Sequence, residues 1–299
     1  MHRLRVALPL VIVVIGVELA LRVVGLGRPI LYDNRESWGF RPVPDQTRRR
    51  LFGARVHVNA LGVRGPDGPA DALRLLFLGD SVTWGGSFVD DTDLFAAVAA
   101  RVVAERLPGR FPAVVPLDAG VNAWGPQNVL GLLRERGGLG SPVWVLTLLD
   151  DDFRREKTRI GEVPYFNAPP ATAWEELLVL GAYKLLGAYR QPKPAEDVER
   201  LAQANLAACA AILELARADG ARVLLVWHPS APALAGEPEV YHARLAAEAA
   251  RADVPVLDLT AAYRGRDRLY VDAIHLSTAG HRVAGTAIGA RLAEMLAQR

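Results

Sequence analysis

The pattern that most constrains this chain begins at Leu73. From there to the C-terminus, short apolar runs alternate with longer segments of helical period. The runs are LRLLFLG (73–79), AVVPLDAG (113–120), PVWVLTLLD (142–150), ARVLLVWHP (221–229) and VPVLDL (254–259). Helical patterns stand between them at 94–107, 127–136, 195–218 and 240–252, and one at 278–297 closes the chain. A run that is apolar throughout, rather than at every second position, suits a strand buried on both faces. Such strands separated by helices build a parallel sheet covered on both sides. In sheets of this kind ligands and reactive groups gather at the carboxyl ends of the strands. The residues just after each run are therefore the first to read.

Two segments precede this region. Residues 6–26 read VALPLVIVVIGVELALRVVGL, about the length a helix needs to cross a bilayer. Glu18 and Arg22 are the charges within it, four apart and able to pair on one helix face. His2, Arg3 and Arg5 precede it, which favours an N-terminus held in the cytoplasm. The expected domain boundaries are a membrane anchor (or signal) helix at 1–27, a Pro-rich strap at 28–70 and the main domain at 71–299. An anchor that stays in place or a cleaved signal both put the rest of the chain outside the cytoplasm; a buried or interfacial helix is the third reading. No cysteine follows the apolar run to take a lipid. The strap reads as irregular, except that RVHVN (55–59) alternates as a short strand does and NALGVRG (59–65) follows as a glycine turn.

Composition removes other classes. The single cysteine, Cys209, allows no intramolecular disulfide and no multi-cysteine zinc site. Basic residues number 35 and acidic ones 33, a net charge of +2, so no nucleic-acid partner is indicated. Arg48–Arg50 reads as a solvated loop rather than a patch.

The first apolar run ends in LGDSVTWGG (78–86). Ser81, flanked by Gly79 and Asp80, can present its hydroxyl and its own N–H to the crevice; equally, Asp80 and Ser81 can simply cap the next turn. Near the C-terminus stands YVDAIHLSTAGHRVAG (270–285). Asp272 and His275 are three apart, so the carboxylate can fold back onto one imidazole nitrogen and leave the other to take a serine proton. A surface ion pair is the plainer reading of the same spacing. His281 reads as a structural or exposed helix residue, and His57, His228 and His242 as core or surface residues.

Together, GDS after the first strand and Asp-x-x-His before the last helix resemble the SGNH/GDSL hydrolase family at both ends of its domain. NALGVRG, after an anchor and a Pro-rich strap, looks like that family's membrane-anchored bacterial branch. The resemblance implies a flavodoxin-like three-layer α/β/α sandwich with a five-stranded parallel sheet. It also implies Ser81 as nucleophile, His275 as general base and Asp272 as its orienter. No cofactor and no metal are implied. The partner would be an ester substrate, an acylated glycan or lipid.

Two segments depart from the family's pattern. DAGVNAWGPQ (118–127) places Ala123 where an oxyanion-hole glycine is usual, with Gly120 the alternative if the loop is offset. LLDDDFRRE (148–156) places Asp151 where an asparagine is usual. An ionised carboxylate offers acceptors only and would repel an oxyanion. Four expectations follow: Asp151 is protonated, Asn122 supplies the missing amide, the alignment is locally offset, or hydrolysis is slow or absent. The preferred one is Asn122. An insert, 154–194, carries an apolar stretch (172–189) with Trp174, Leu177, Leu178, Tyr183 and Leu186 at helical spacing, either extra packing or a lid or substrate wall. The expected function is a serine ester hydrolase; the alternatives are an O-acetyltransferase or acetylesterase acting on cell-surface polysaccharide, and a non-catalytic binding protein that keeps the fold.

Overall fold

The computed structural model describes residues 2–160, 166–187 and 194–298. A helix, α1 (His2–Val23), comes first. Two antiparallel hairpins follow: β1 (Tyr32–Arg35) with β2 (Gly39–Pro42), and β3 (Gln46–Arg49) with β4 (Arg55–Val58). The alternating part then runs β5 (Leu73–Leu78), α2 (Ser81–Trp84), α3 (Phe95–Arg106), β6 (Val114–Asp118), α4 (Pro126–Arg136) and β7 (Val143–Leu148). The insert helix α5 (Ala173–Gly187) precedes α6 (Ala195–Ala218), β8 (Arg222–Trp227), α7 (Ala231–Leu234) and α8 (His242–Arg251). The chain closes with β9 (Val256–Asp258), α9 (Thr260–Tyr263) and α10 (Thr278–Ala297).

All five apolar runs become strands of one parallel sheet, ordered β6-β5-β7-β8-β9. Alternate side chains leave each strand on opposite faces. Leu76, Leu78, Leu146, Leu148, Leu225 and Trp227 pack with Val129 of α4, Leu206 of α6 and Leu245 of α8. Leu75, Phe77, Val145, Leu224 and Val226 pack with Phe95 of α3, Tyr263 of α9 and Ile288 of α10. The fold is thus a three-layer α/β/α sandwich. The chain steps from β5 out to β6 and then crosses back over β5 to reach β7. Helix coverage changes face at that point, which opens a crevice at the carboxyl ends of β5 and β7.

The strap departs from expectation. The strand expected at 55–59 is β4, but the rest is not irregular: turn residues separate two hairpins, and Ile30, Tyr32, Trp38, Phe40, Val56, Val58 and Val63 are buried in the α4–α6 side of the main core. Trp38 meets Trp124 edge to face, with ring centroids 5.7 Å apart. The expected 70/71 boundary is therefore not a packing boundary.

In α1, Val11–Ile15, Leu19 and Val23 are exposed; the side chains of His2, Arg3 and Arg5 lie outside the described set, as do residues 161–165 and 188–193 of the insert. Among the described residues, α6 is the helix long and apolar enough to cross a membrane by composition, and half of that stretch is buried. Its burial against the sheet makes it a core helix. Cys209 sits in it with its side chain buried, and burial pushes the thiol's pKa up. The start of α5 is tied to α1, since both Glu18 carboxylate oxygens accept from the Ala173 N–H at 3.0 Å and Arg22 pairs with Glu18 at 2.6 Å. Glu176 is buried against Arg50 of the strap and accepts from the Gly27 N–H at 2.6 Å.

Candidate active site

The crevice between β5 and β7 holds the serine. Gly79 ends the β5 segment where a Cβ would stand 2.3 Å from Thr83 Oγ1 and 2.8 Å from the Thr147 carbonyl, so only glycine fits the turn. Asp80 caps α2: its Oδ1 accepts from the Val82 N–H at 2.8 Å. Ser81 is the first residue of that helix, where the backbone N–H has no helical acceptor. The capping reading of Asp80 and the presentation of Ser81 are therefore one arrangement.

The loop before α10 brings His275 to Ser81. His275 Nε2 lies 2.8 Å from Ser81 Oγ, and Nδ1 lies 2.8 and 3.0 Å from the two oxygens of Asp272. Nδ1 faces a carboxylate, so it carries the proton, and Nε2 is left to accept from the hydroxyl. Asp272 Oδ1 also accepts from the N–H groups of Ile274 at 3.0 Å and His275 at 2.8 Å. Partial burial raises the Asp272 pKa, but these N–H groups and the imidazole outweigh it and hold the carboxyl below its ordinary range.

Behind this loop lies His228, just past the end of β8. It is buried, with Nε2 2.9 Å from the Ile274 carbonyl and Nδ1 3.1 Å from the Tyr263 hydroxyl. Burial pushes its pKa down to about 4, so it stays neutral, donates to Ile274 and accepts from Tyr263. The Tyr270 hydroxyl donates to the Pro229 carbonyl, and the Ala231 N–H donates to the Ala273 carbonyl at 2.8 Å. The segment after β8 is thus stitched to the loop that carries His275.

The other histidines lie elsewhere. His281 is buried in α10, stacked on Phe95 and accepting its N–H at 3.2 Å; burial pushes its pKa down to about 3. His57 bonds Thr47 at 2.7 Å, and His242 stacks on Trp227.

On the opposite flank of Ser81 runs the loop after β6. Gly120 sits where a Cβ would be 2.6 Å from the Trp84 nitrogen. Ala123 has φ +62°, the left-handed region that glycine adopts freely and that costs another L-residue about 1–2 kcal/mol. The backbone at this position is thus the one a glycine would favour. The N–H groups of Ser81 and Ala123 donate to no protein acceptor among the described residues, and the half-buried Asn122 side chain has no hydrogen-bond partner there.

Asp151 does not stand bare in the crevice, as the sequence suggested. Its side chain is 56% exposed, and its Oδ2 accepts from Arg155 Nε at 3.0 Å and Nη2 at 2.8 Å. The same guanidinium reaches inward: Nη1 lies 2.7 Å from Asp80 Oδ2, 3.0 Å from Asp152 Oδ1 and 3.0 Å from the Trp124 carbonyl. Asp80 and Asp152 are buried. Burial, and then the charge of Asp80, raise the Asp152 pKa well above the usual carboxylate range. For Arg155 burial acts the other way, but Asp152, Asp80 and Asp151 together outweigh it and keep the guanidinium charged. Asp150 diverges to the Tyr241 N–H and to Arg154. Asp151 and Asp152 share Arg155 while Asp150 takes Arg154, and among the described residues no group of three His, Cys, Asp or Glu side chains is placed to hold a metal.

Sequence reasoning missed Arg155 and Tyr263, and it read His228 as a core or surface residue, which its burial bears out, without the link to the loop of His275. The spacing of Asp151 and Arg155, four apart, was the available signal for the first; the links from Arg155 to Asp80 and Trp124 had none, since they join three strand ends.

No family model and no curated protein matches this chain. Solved structures similar to it include an acetylxylan esterase from Geobacillus stearothermophilus, in a catalytic-mutant form, at 14% identity and a TM-score of 0.48, covering 74% of this chain and 93% of that one. A member of the lipolytic protein G-D-S-L family from Veillonella parvula DSM 2008 follows at 12% identity and a TM-score of 0.43, covering 72% and 96%. At these identities and scores, function has to be argued from the side chains of this chain.

Proposed function

We propose that this protein is a serine ester hydrolase of the SGNH/GDSL type, anchored in a membrane by α1 and acting outside the cytoplasm. The observation that carries the reading is the hydrogen-bonded relay Ser81–His275–Asp272 at the strand ends. His275 Nε2 takes the Ser81 proton as Oγ attacks the ester carbonyl. The tetrahedral oxyanion is met by the N–H groups of Ser81 and Ala123 and by the Asn122 amide. His275 then passes its proton to the leaving alcohol. A water deprotonated by the same nitrogen attacks the acyl-enzyme, frees the acid and returns the proton to Ser81. Asp272 holds the imidazole in the required tautomer and balances its charge while it is protonated. Arg155 is a positioning residue. It neutralises Asp80 and Asp152 beneath the nucleophile and holds the Trp124 carbonyl, next to Ala123, in place. The substrate class is an acylated glycan or lipid.

For α1, the supporting observation is a 22-residue helix whose described apolar side chains Val11–Ile15, Leu19 and Val23 are exposed. Extraction of cell membranes at alkaline pH tests it: an anchored protein stays in the pellet, and release into the supernatant overturns the anchor.

The catalytic reading is tested on the intact protein with a fluorophosphonate probe and a nitrophenyl ester. The expected result is labelling and turnover, both lost in Ser81→Ala. Absence of both in the unaltered protein would leave a non-catalytic binding protein. Acyl transfer to a glycan acceptor outcompeting water would make the protein an O-acetyltransferase.

A further inference from the structure

The exposed large apolar side chains of this protein are not scattered. Among the described residues, all except Val240 and Val271 lie on α1, on Val24 just after it, or on α5. On α5 they are Leu177, Leu178, Val179 and Leu185, the last two residues named being 36% and 64% exposed. Scattered single apolar residues on a surface are ordinary, whereas a concentration on two touching helices marks an interaction surface.

The two helices are held together by polar contacts at one end. Glu18 and Arg22 sit in the last turns of α1, and Glu18 receives the first N–H of α5. Glu176, in the first turn of α5, is locked to Arg50 and to the Gly27 N–H, just past the end of α1. The start of α5 is thus fixed at the level where α1 ends. Just past the end of α1 Arg28 is exposed, and the exposed Glu175 stands in the first turn of α5. A polar helix start followed by exposed leucines suits the boundary between headgroups and acyl chains, with the charged end among the headgroups and the leucines below them.

We infer that α5 lies in the boundary layer of the same bilayer that α1 crosses, so that the protein is held at two points rather than swinging on one tether. This inference rests on the membrane reading of α1 and is independent of the esterase reading. It also reassigns the insert. The described contacts of α5 are with α1 and the strap, so it is a membrane foot rather than a lid over Ser81.

The test uses the full-length chain in a Cys209→Ala background, reconstituted into vesicles of phosphatidylethanolamine and phosphatidylglycerol. Spin labels are placed through Leu178→Cys, Leu185→Cys, Val13→Cys and Glu105→Cys, one at a time. Collision with oxygen is compared with collision with a water-soluble nickel chelate. The expected result is a shift of the 178 and 185 labels toward oxygen, to the side of the 13 label and away from the 105 label on α3. Labels at 178 and 185 that collide with nickel like the one at 105, while 13 remains in lipid, overturn the α5 inference alone. All four labels in water overturn the anchor as well. Dipolar broadening between labels at 178 would mean that a second copy covers this face, which also overturns the inference. Fluorophosphonate labelling of Ser81 in the same samples reports separately on the catalytic reading.

Discussion

The two flanks of Ser81 are built in opposite ways. On one side Asp272 and His275 form their contact within four residues, and their side chains remain 54% and 33% exposed. On the other side Arg155 joins the ends of β5 and β7 through the buried carboxylates of Asp80 and Asp152, and the loop after β6 through the Trp124 carbonyl. The first flank is a local fold-back: the backbone N–H groups of Ile274 and His275 hold the carboxylate, and water can reach it. The second is a charge balance in low dielectric, where the buried Asp80 and Asp152 face one guanidinium. Removing a partner should therefore damage chemistry on the first flank and the fold on the second.

The largest effect is expected at Asp272. Asp272→Asn places an amide against Nδ1 and favours the wrong tautomer, so kcat should fall by about ten-thousand-fold, as in the comparable serine-protease substitution. Stability should change little, because an exposed pair is worth at most about 1 kcal/mol. Steady-state kinetics with urea unfolding on the same samples checks both halves. A variant that loses stability as much as activity would erase the contrast.

Arg155→Met should show the reverse signature. It leaves buried Asp80 and Asp152 without their cation, and breaking a buried pair costs about 3–5 kcal/mol. The unfolding midpoint should fall sharply, and adding Asp152→Asn should recover part of the loss. Asp151→Asn should not recover it, because that carboxylate faces solvent. Equal rescue by both would show that burial is not what separates the three aspartates.

Asn122→Ala should lower kcat by about a hundred-fold with KM nearly unchanged, the loss expected for one oxyanion-hole donor. Unchanged turnover sinks the assignment of Asn122 and leaves the two backbone N–H groups to bear the oxyanion.

The last effect is one of pH dependence rather than of a single loss, and concerns Asp118, at the base of the same loop. Burial pushes its pKa up to about 8 from an ordinary 3.8, and its Oδ1 accepts from the Gly120 N–H at 2.9 Å. The folded protein therefore binds a proton that the unfolded chain has released. The carboxyl's contribution to stability is fully present below the ordinary value and is lost as pH rises toward 8. Asp118→Asn has no such proton, so it should gain on the unaltered protein across that window, by at most about 1.4 kcal/mol per pH unit. Unfolding free energies of both proteins from pH 4 to 8 provide the check; a constant difference would mean that Asp118 ionises normally.

Much of this was legible beforehand for physical reasons. A strand buried on both faces must be apolar throughout, so Leu73–Leu78 and Val143–Leu148 announced themselves. The contact between Asp272 and His275 depends on a three-residue spacing, which any reader of the chain can measure. Of the hairpins at 32–58 only β4 was legible, from the alternation of RVHVN; the other three strands are four residues long and broken by turn residues, and Trp38 finds its partner in Trp124, which comes 66 residues after the end of β4. Arg155 is absent from all four expectations for Asp151, because alignment to a motif compares positions one at a time.

What the sequence determined by itself is the alternation that makes the sheet, the serine at its first strand end, and the histidine with its carboxylate before the last helix. These follow from periodicity and short spacing, which are local. Only the tertiary structure decided that the 2.8 Å contact between Ser81 and His275 exists, that Arg155 answers three aspartates, and that the start of α5 is tied to α1. Each of those joins segments whose meeting depends on strand order and on which charges lose their water together, and neither is written in any window of the chain.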